Sequence, residues 1–138
     1  FNSYLNGTIT VNKLNIPVND VIVYDNVDIV GPDLSYDPNS GIFTIKTKGT
    51  YNFNWKIACT PAPATVSIQI DMVLIPSLTY ISGMSITATN PVISGGNYVY
   101  AANAGEQIAF INASNGPIGL VLTQISGPLG SLSVYRIY

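Results

Sequence analysis

The run Tyr36-Asp37-Pro38-Asn39-Ser40-Gly41-Ile42-Phe43, followed after a Lys-Gly turn by Gly49-Thr50-Tyr51-Asn52-Phe53-Asn54-Trp55, decides the fold of this chain. Asp, Pro, Asn, Ser and Gly in succession favour a turn, and a short apolar strand follows it. From position 50 to position 57, polar and large apolar residues alternate one by one, which is typical of a strand with one buried face. We predict that the two strands pair and that their large side chains join the core: Phe43, Tyr51, Phe53 and Trp55.

The rest of the chain has the same short-strand character. Gly, Pro and Asn residues interrupt it at short intervals, and no window has the apolar period of a helix. Such spacing predicts an all-β sandwich or barrel of about ten strands. The predicted strands are Thr8–Leu14, Val21–Tyr24, Ile42–Lys46, Thr50–Ala58, Thr65–Leu74, Ser85–Thr89, Asn97–Ala101, Gln107–Ala113, Gly119–Gln124 and Ser131–Ile137.

The composition predicts an oligomer. Charged side chains make up 9% of the chain, against about 25% in a typical soluble domain. Asn, Ser, Thr and Gly take their place, so the surface is polar but nearly neutral. Because lone monomers usually carry more charge to stay soluble, we predict a subunit that hides much of its surface against copies of itself. A monomer solvated by amide and hydroxyl groups is the alternative.

The last predicted strand also favours a hidden surface. Its buried-type residues Leu132 and Val134 alternate with Tyr135 and Ile137, so apolar side chains point to both faces of the strand. A strand that is covered on both faces of an antiparallel sheet needs a second packing partner. Since no helix is predicted, we expect that partner to be another subunit.

Charge and hydropathy exclude two classes of partner. Five basic residues and a net charge of -2 do not make a stripe that tracks phosphates, so we predict no nucleic acid. No apolar run approaches the roughly 20 residues that span a bilayer, and the aliphatic run Met72–Ile75 is halted by Pro76. We therefore predict no membrane insertion.

The chain also lacks the side chains of common catalytic sites. It contains no His, which removes the usual general base and the commonest metal ligand. Cys59 is the single cysteine, so it has no disulfide partner within the chain, and we predict that it is a buried apolar residue. The sequence therefore predicts that the protein is not an enzyme and has no catalytic residues.

Four carboxylates lie close together in the sequence, at Asp25, Asp28, Asp33 and Asp37. Oxygen ligands in a loop are a weak indication of calcium. The alternative is that Asp33 and Asp37 cap turns through nearby backbone amides. We predict no cofactor and no resident metal, and calcium stays an open alternative at these carboxylates.

The spacing of aromatic residues resembles the globular head of complement component one-q, a family that shares the jelly roll of tumour necrosis factor. Tyr36 is followed by six residues and Phe43, then by five residues and the Gly-x-Tyr-x-Phe-x-Trp run that begins at Gly49. An aromatic-Asp pair, Tyr24-Asp25, lies upstream as in the family. Two later segments, 103–108 and 130–135, are similar to the family's late strands.

The resemblance implies an antiparallel, two-sheet jelly-roll sandwich that forms a homotrimer. The chain looks most like the C-terminal domains of bacterial collagen-like exosporium glycoproteins. That likeness implies that residues 1–138 are one C-terminal head domain, which follows a collagen-like stalk that ends before Phe1. The implied role is to trimerise the stalk and to mediate contact or adhesion at the surface of a spore or a cell.

A different role stays open beside it. A lectin-like head would bind a carbohydrate or a host receptor, with Tyr80, Tyr98 or Tyr100 stacking on a sugar ring. Gly-X-Y repeats upstream would favour the stalk head, and a secretion signal without such repeats would favour the lectin.

The trimer that the resemblance implies suggests an interface. If Tyr51, Phe53 and Trp55 face the core, the opposite side of their strand carries Asn52 and Asn54 and looks toward the three-fold axis. We add three tyrosines to the predicted interface, for which simple cross-strand packing is the alternative: Tyr98, Tyr100 and Tyr135.

Overall fold

The computed structural model describes residues 3–61, 67–87, 92–120 and 129–138. This part of the chain contains twelve strands and no helix. The predicted all-β class is confirmed. The strands are β1 (Tyr4–Ile9), β2 (Lys13–Ile16), β3 (Asn26–Val30), β4 (Leu34–Asp37), β5 (Ile42–Ile45), β6 (Gly49–Pro61), β7 (Ser67–Ile75), β8 (Thr79–Thr87), β9 (Val92–Ala102), β10 (Gln107–Asn112), β11 (Ile118–Leu120) and β12 (Gly130–Arg136).

The strands form two antiparallel sheets that face each other as a jelly-roll sandwich. Five strands of the larger sheet run in the order β3-β1-β12-β6-β9, with β12 and β9 on opposite sides of β6. β11 pairs with the last residues of β6, and β2 pairs with β11. The smaller sheet has the order β4-β5-β10-β7-β8. The predicted two-sheet jelly roll is therefore confirmed.

The alternating strand supplies the centre of the core. Tyr51, Phe53, Trp55 and Ile57 of β6 are all 0–1% exposed. Phe43 of the smaller sheet is equally buried, and its ring meets the Phe53 ring edge to face at 6.4 Å. Burying a large apolar side chain stabilises a fold by about 1.5–3 kcal/mol. The predicted pairing of these two strands is wrong, because β5 and β6 lie in different sheets. Their large side chains instead meet across the core and hold the two sheets together.

The turn before β5 has the chemistry that its sequence indicates. The Asp37 carboxylate accepts hydrogen bonds from Asn39 N (2.9 Å) and Ser40 Oγ (3.0 Å). Gly41 has a φ of 76°, and a side chain there would approach Val21 to 2.7 Å. Glycine closes this turn because both the backbone angle and the space exclude a Cβ.

Several sequence-based strand assignments differ from the structure, and Ser85–Thr89 covers only the end of β8. Residues 65–66, 88–89 and 121–124 of the predicted strands lie outside the described part of the chain. Val21–Tyr24 is not a strand and makes a single bridge, between Val21 and Ile111. Thr8–Leu14 is divided between the end of β1 and the start of β2, and β3 and β4 were not predicted. The 21–24 segment bonds to the part of β10 that extends beyond its short pairing with β5. Ile22 N, for example, donates to Phe110 O. All four residues of this segment are apolar, which suits this packing, whereas β3 alternates exposed and half-buried residues over only five positions.

The two ends of the chain meet at one end of the sandwich, which we call the terminal pole. Arg136 N donates to Ser3 O, and Thr50 N donates to Tyr138 O. Strand β1 runs from this pole toward the opposite pole, where the 10–12 loop and the 38–41 turn lie.

A buried polar cluster holds the terminal pole. Ser3 Oγ donates to the Asp33 carboxylate at 2.7 Å, and Arg136 lies 3.5 Å from the same carboxylate. The hydrogen bond from Ser3 lowers the pKa of Asp33, as do a second one from Thr47 and the charge of Arg136, while burial opposes them. Asp33 therefore ties the first strand to the last strand.

Candidate interface on the outer face of the larger sheet

The larger sheet turns one face to the core and the other face, here called the outer face, away from the smaller sheet. Directly opposed residues of antiparallel strands point to the same side. The pairing register therefore aligns one residue from each of five neighbouring strands into a single row across the outer face. This outer-face row consists of Val30, Tyr4, Tyr135, Asn52 and Val99.

Most of the outer-face row is apolar and exposed. The exposed fractions are 43% for Val30, 37% for Tyr4, 40% for Tyr135 and 53% for Val99. Asn52 is only 6% exposed because it lies between Tyr135 and Val99, its direct cross-strand neighbours. Ile137, beyond the end of β12, adds another exposed apolar side chain. A row of aromatic and aliphatic side chains across a sheet face is typical of a surface that another protein covers.

The rows beside it are polar and almost uncharged. Among the described outer-face side chains of these five strands, only Asp28 and Lys56 carry a charge. The other positions are occupied mainly by Asn, Ser and Thr: Asn6, Ser133, Asn54, Asn97, Asn26, Thr8 and Ser131. Covering uncharged amide and hydroxyl groups costs less hydration energy than covering charged groups, provided that hydrogen bonds to the second chain replace those to water.

The smaller sheet has a different outer surface. Its strands β4, β5 and β7 present both polar and aliphatic residues on the side away from the core: Ser35, Asp37, Ile42, Thr44, Gln69, Asp71, Val73 and Ile75. Tyr80 of β8, opposite Val73, is an exposed aromatic residue there. No exposed aromatic row crosses the described part of that side. The two faces of the sandwich are therefore unequal, and the larger sheet carries the surface suited to a protein partner.

The structure divides the five residues of the predicted interface. Asn52, Asn54 and Tyr135 lie on the outer face. Tyr98 and Tyr100 are directly opposite Phe53 and Tyr51, so they leave β9 on its core side.

Tyr98 is nevertheless 38% exposed, because β9 is the edge strand of its sheet. Tyr100 packs against the core and donates its hydroxyl proton to Glu106. These two tyrosines therefore do not belong to the same surface as Asn52.

Three members of the outer-face row were not predicted as interface residues from the sequence: Val30, Tyr4 and Val99. β3 and the start of β1 were not predicted as strands, so Val30 and Tyr4 had no assigned face. Val99 lies between two tyrosines, and only the register with β6 shows that the valine points outward. The periodicity of the sequence fixes which residues share a face but does not fix which face is buried.

The four neighbouring carboxylates do not converge. Asp25 accepts a hydrogen bond from Thr10 N, Asp33 binds Ser3, and Asp37 caps its own turn. Within the described ranges, no group of three or more His, Cys, Asp or Glu residues is arranged to hold a metal ion. Of the two alternatives, turn capping describes Asp37, whereas Asp33 serves a long-range contact that the sequence did not predict.

Cys59 lies inside the sandwich at 2% exposure. Burial raises the pKa of its thiol to about 12. The thiol therefore stays protonated near neutral pH, and a thiol lacks the reactivity of a thiolate nucleophile.

In the part of the chain that is described, no helix is long and apolar enough to cross a membrane.

Comparison with known proteins identifies similar folds among solved structures. No family model matches the sequence, and no curated protein matches it. Among solved structures, the globular domain of zebrafish complement 1qA protein is 10% identical with a TM-score of 0.68, and the alignment covers 98% of this chain and 97% of that chain.

Two further solved structures have the same architecture. Murine APRIL is 13% identical with a TM-score of 0.66, over 99% of this chain and 100% of its own. Rabbit GITRL is 14% identical with a TM-score of 0.54, over 82% of this chain and 86% of its own. At such low identity the likeness establishes that this chain has their jelly-roll fold.

Proposed function

We propose that this protein is the trimer-forming head of an extracellular collagen-like filament, on a spore exosporium or on a cell surface. The observation that carries the proposal is the outer-face row, in which Val30, Tyr4, Tyr135 and Val99 are exposed side by side. Three copies of the sandwich that bury this row around a common axis would remove these side chains from water. The low charge of the surrounding rows supports the same assembly.

The order of the assembly and its setting rest on the sequence resemblance. The aromatic spacing between Tyr24 and Trp55 resembles a family of trimeric heads, many of which end collagen-like stalks. A collagen triple helix needs three chains in register, and a trimeric head supplies that registration. The head would also present an amide- and hydroxyl-rich surface to the environment, to a host receptor or to a glycan.

The solution mass of residues 1–138 tests the proposal. Light scattering over a dilution series is expected to give a species of three times 14.7 kDa. Val99→Asp and Tyr135→Asp should each shift the mass toward the monomer, because a carboxylate would be buried without a partner in the interface. Gln107→Asp is the matched control, since Gln107 is exposed on the outer side of the smaller sheet.

Two results would contradict the proposal. A wild-type protein that is monomeric at micromolar concentration would leave the outer-face row without the partner that explains it. A protein that stays trimeric in both Asp variants would place the interface on another surface. Loss of the trimer in Gln107→Asp would show that any added charge dissolves it.

A glycan-binding head is the competing function, and one observation favours it. Tyr80 on β8 is 60% exposed, so its ring offers a stacking surface away from the outer face. A glycan array probed with the wild type and with Tyr80→Ser would detect this activity. Binding that the substitution abolishes, in a protein that is monomeric, would replace the stalk-head proposal.

A further inference from the structure

A pocket opens at the pole opposite the chain termini. It has a volume of about 270 Å³ and lies between the β1–β2 loop, the 21–25 segment, the 38–41 turn and β11. All four walls are loops or strand ends that the two sheets hold in place. Loops on a rigid scaffold are where binding sites commonly lie.

The inside of this pocket is aliphatic. Ile9, Ile16 and Leu120 line it and are 1–3% exposed, so their side chains are fixed by the core beneath them. Val11 forms part of its rim and is 56% exposed. An apolar concavity with a few polar groups is the usual form of a small-molecule site. The volume is about nine times that of a water molecule in the liquid, so only a small ligand fits.

Two charged side chains, Asp25 and Lys13, also line the pocket, and they differ in their bonding partners. The Asp25 carboxylate accepts hydrogen bonds from both the backbone and the hydroxyl group of Thr10. Burial opposes ionisation, but these bonds outweigh it and lower the pKa of Asp25. Lys13 makes no ion pair, because the one ion pair among the described residues joins Arg136 to Asp33.

We propose that this pocket binds a small organic acid. The aliphatic body of the acid lies against Ile9, Ile16 and Leu120, and its carboxylate pairs with the ammonium group of Lys13. Two hydrogen bonds from Thr10 hold the Asp25 carboxylate, and no ion pair joins Asp25 to Lys13. This binding site goes beyond the proposed assembly and does not depend on it, because no residue of the outer-face row lines the pocket.

Hexanoate is the probe that tests the site. Titration into nitrogen-15-labelled protein should shift the backbone amide signals of Thr10, Val11 and Asn39 in a saturable way. Lys13→Gln should weaken hexanoate binding about five-fold, the effect of one partly exposed ion pair. Lys46→Gln removes the same charge outside the pocket and should leave the affinity unchanged. Val11→Asp, at an exposed position, should abolish binding because a second carboxylate beside Asp25 would give the lining of the pocket a net negative charge.

Hexanol and methyl glucoside complete the test. Hexanol has the same chain without the charge and should bind more weakly than hexanoate. Equal binding of the two would overturn the role of Lys13. Amide shifts with methyl glucoside but not with hexanoate would replace the organic acid with a sugar. Absence of any saturable shift with hexanoate in a folded sample would overturn the proposal.

Discussion

The hydroxyl group of Tyr36 illustrates how a single side chain holds a segment that has no strand of its own. It accepts a hydrogen bond from Tyr24 N at 2.7 Å and donates one to Tyr24 O at 2.8 Å. Tyr36→Phe would leave this backbone N–H and carbonyl without their partner, and we expect the free energy of unfolding to fall by about 1–3 kcal/mol. Urea unfolding measures the change.

Tyr80→Phe is the control for that substitution, because Tyr80 is 60% exposed. Its free energy of unfolding should match that of the wild type. Equal stability of the Tyr36→Phe variant would show that water replaces the hydroxyl group and that packing and the backbone bonds to β10 are enough to hold the 21–24 segment.

Asp33 makes a pH-dependent contribution to stability. Its carboxylate is buried against Ser3 and Arg136, and these contacts lower its pKa below the ordinary value of 3.8. We expect Asp33→Asn to lower the free energy of unfolding at pH 7 by about 1–3 kcal/mol, because a charge-assisted contact is lost. The same measurement on Asp20→Asn, which removes an exposed carboxylate, should give little change.

The sign of the pH effect follows from the direction of the shift. Between the lowered folded pKa and 3.8, the unfolded chain binds more protons than the folded chain does. The contribution of Asp33 is therefore complete above pH 3.8 and is lost as the pH falls through the folded value. The difference between the wild type and Asp33→Asn should narrow in acid, and a difference that stays constant would exclude Asp33 as its source.

Strand β6 shows what the sequence can predict and why prediction ends at its neighbour. The contrast between Tyr, Phe and Trp and the polar residues between them identifies the buried face of β6 without any tertiary information. In β9 tyrosines alternate with small or aliphatic residues, so both faces look equally suited to burial. Tyr98 and Tyr100 point to the core side because β9 pairs with β6 in that register. The orientation of these two tyrosines depends on long-range strand pairing, so periodicity alone could not predict it.

The same limit explains the two sites. The fold class was predictable because short strands and turns recur along the entire chain. The outer-face row was not, since its five residues come from five strands and meet only through their register. The pocket at the opposite pole likewise combines residues from positions 9 to 120, and no spacing along the sequence announces it.

Gly95 and Gly96 provide a matched pair for testing the β6–β9 pairing. A Cβ at Gly95 would lie 2.5 Å from the backbone oxygen of Trp55, whereas a Cβ at Gly96 would meet the Trp55 ring at an ordinary 3.4 Å. Gly95→Ala should therefore force the two strands apart and lower the free energy of unfolding by about 1–3 kcal/mol. Gly96→Ala should be neutral or slightly stabilising. Thermal unfolding of both variants measures the contrast, and equal effects would contradict the register.

The position of the chain ends constrains the assembly as a whole. β1 and β12 pair along their length, so Ser3 and Tyr138 lie together at the terminal pole. In a trimer with three-fold symmetry all three subunits point the same way along the axis, and their terminal poles lie side by side. A two-fold dimer whose axis crosses the long axis of the sandwich would place the two terminal poles at opposite ends.

Fusion to a parallel three-stranded coiled coil before Phe1 distinguishes these assemblies. In the trimer, the coiled coil holds three heads at a high effective concentration, and dissociation on dilution should need about a hundred-fold lower protein concentration or less. The Val99→Asp variant, fused in the same way, should keep its coiled coil while its heads stay apart. Cross-linking between heads should occur in the wild-type fusion and not in the Val99→Asp fusion. A fusion that weakens association between wild-type heads would mean that their terminal poles face away from each other, which excludes a three-fold head.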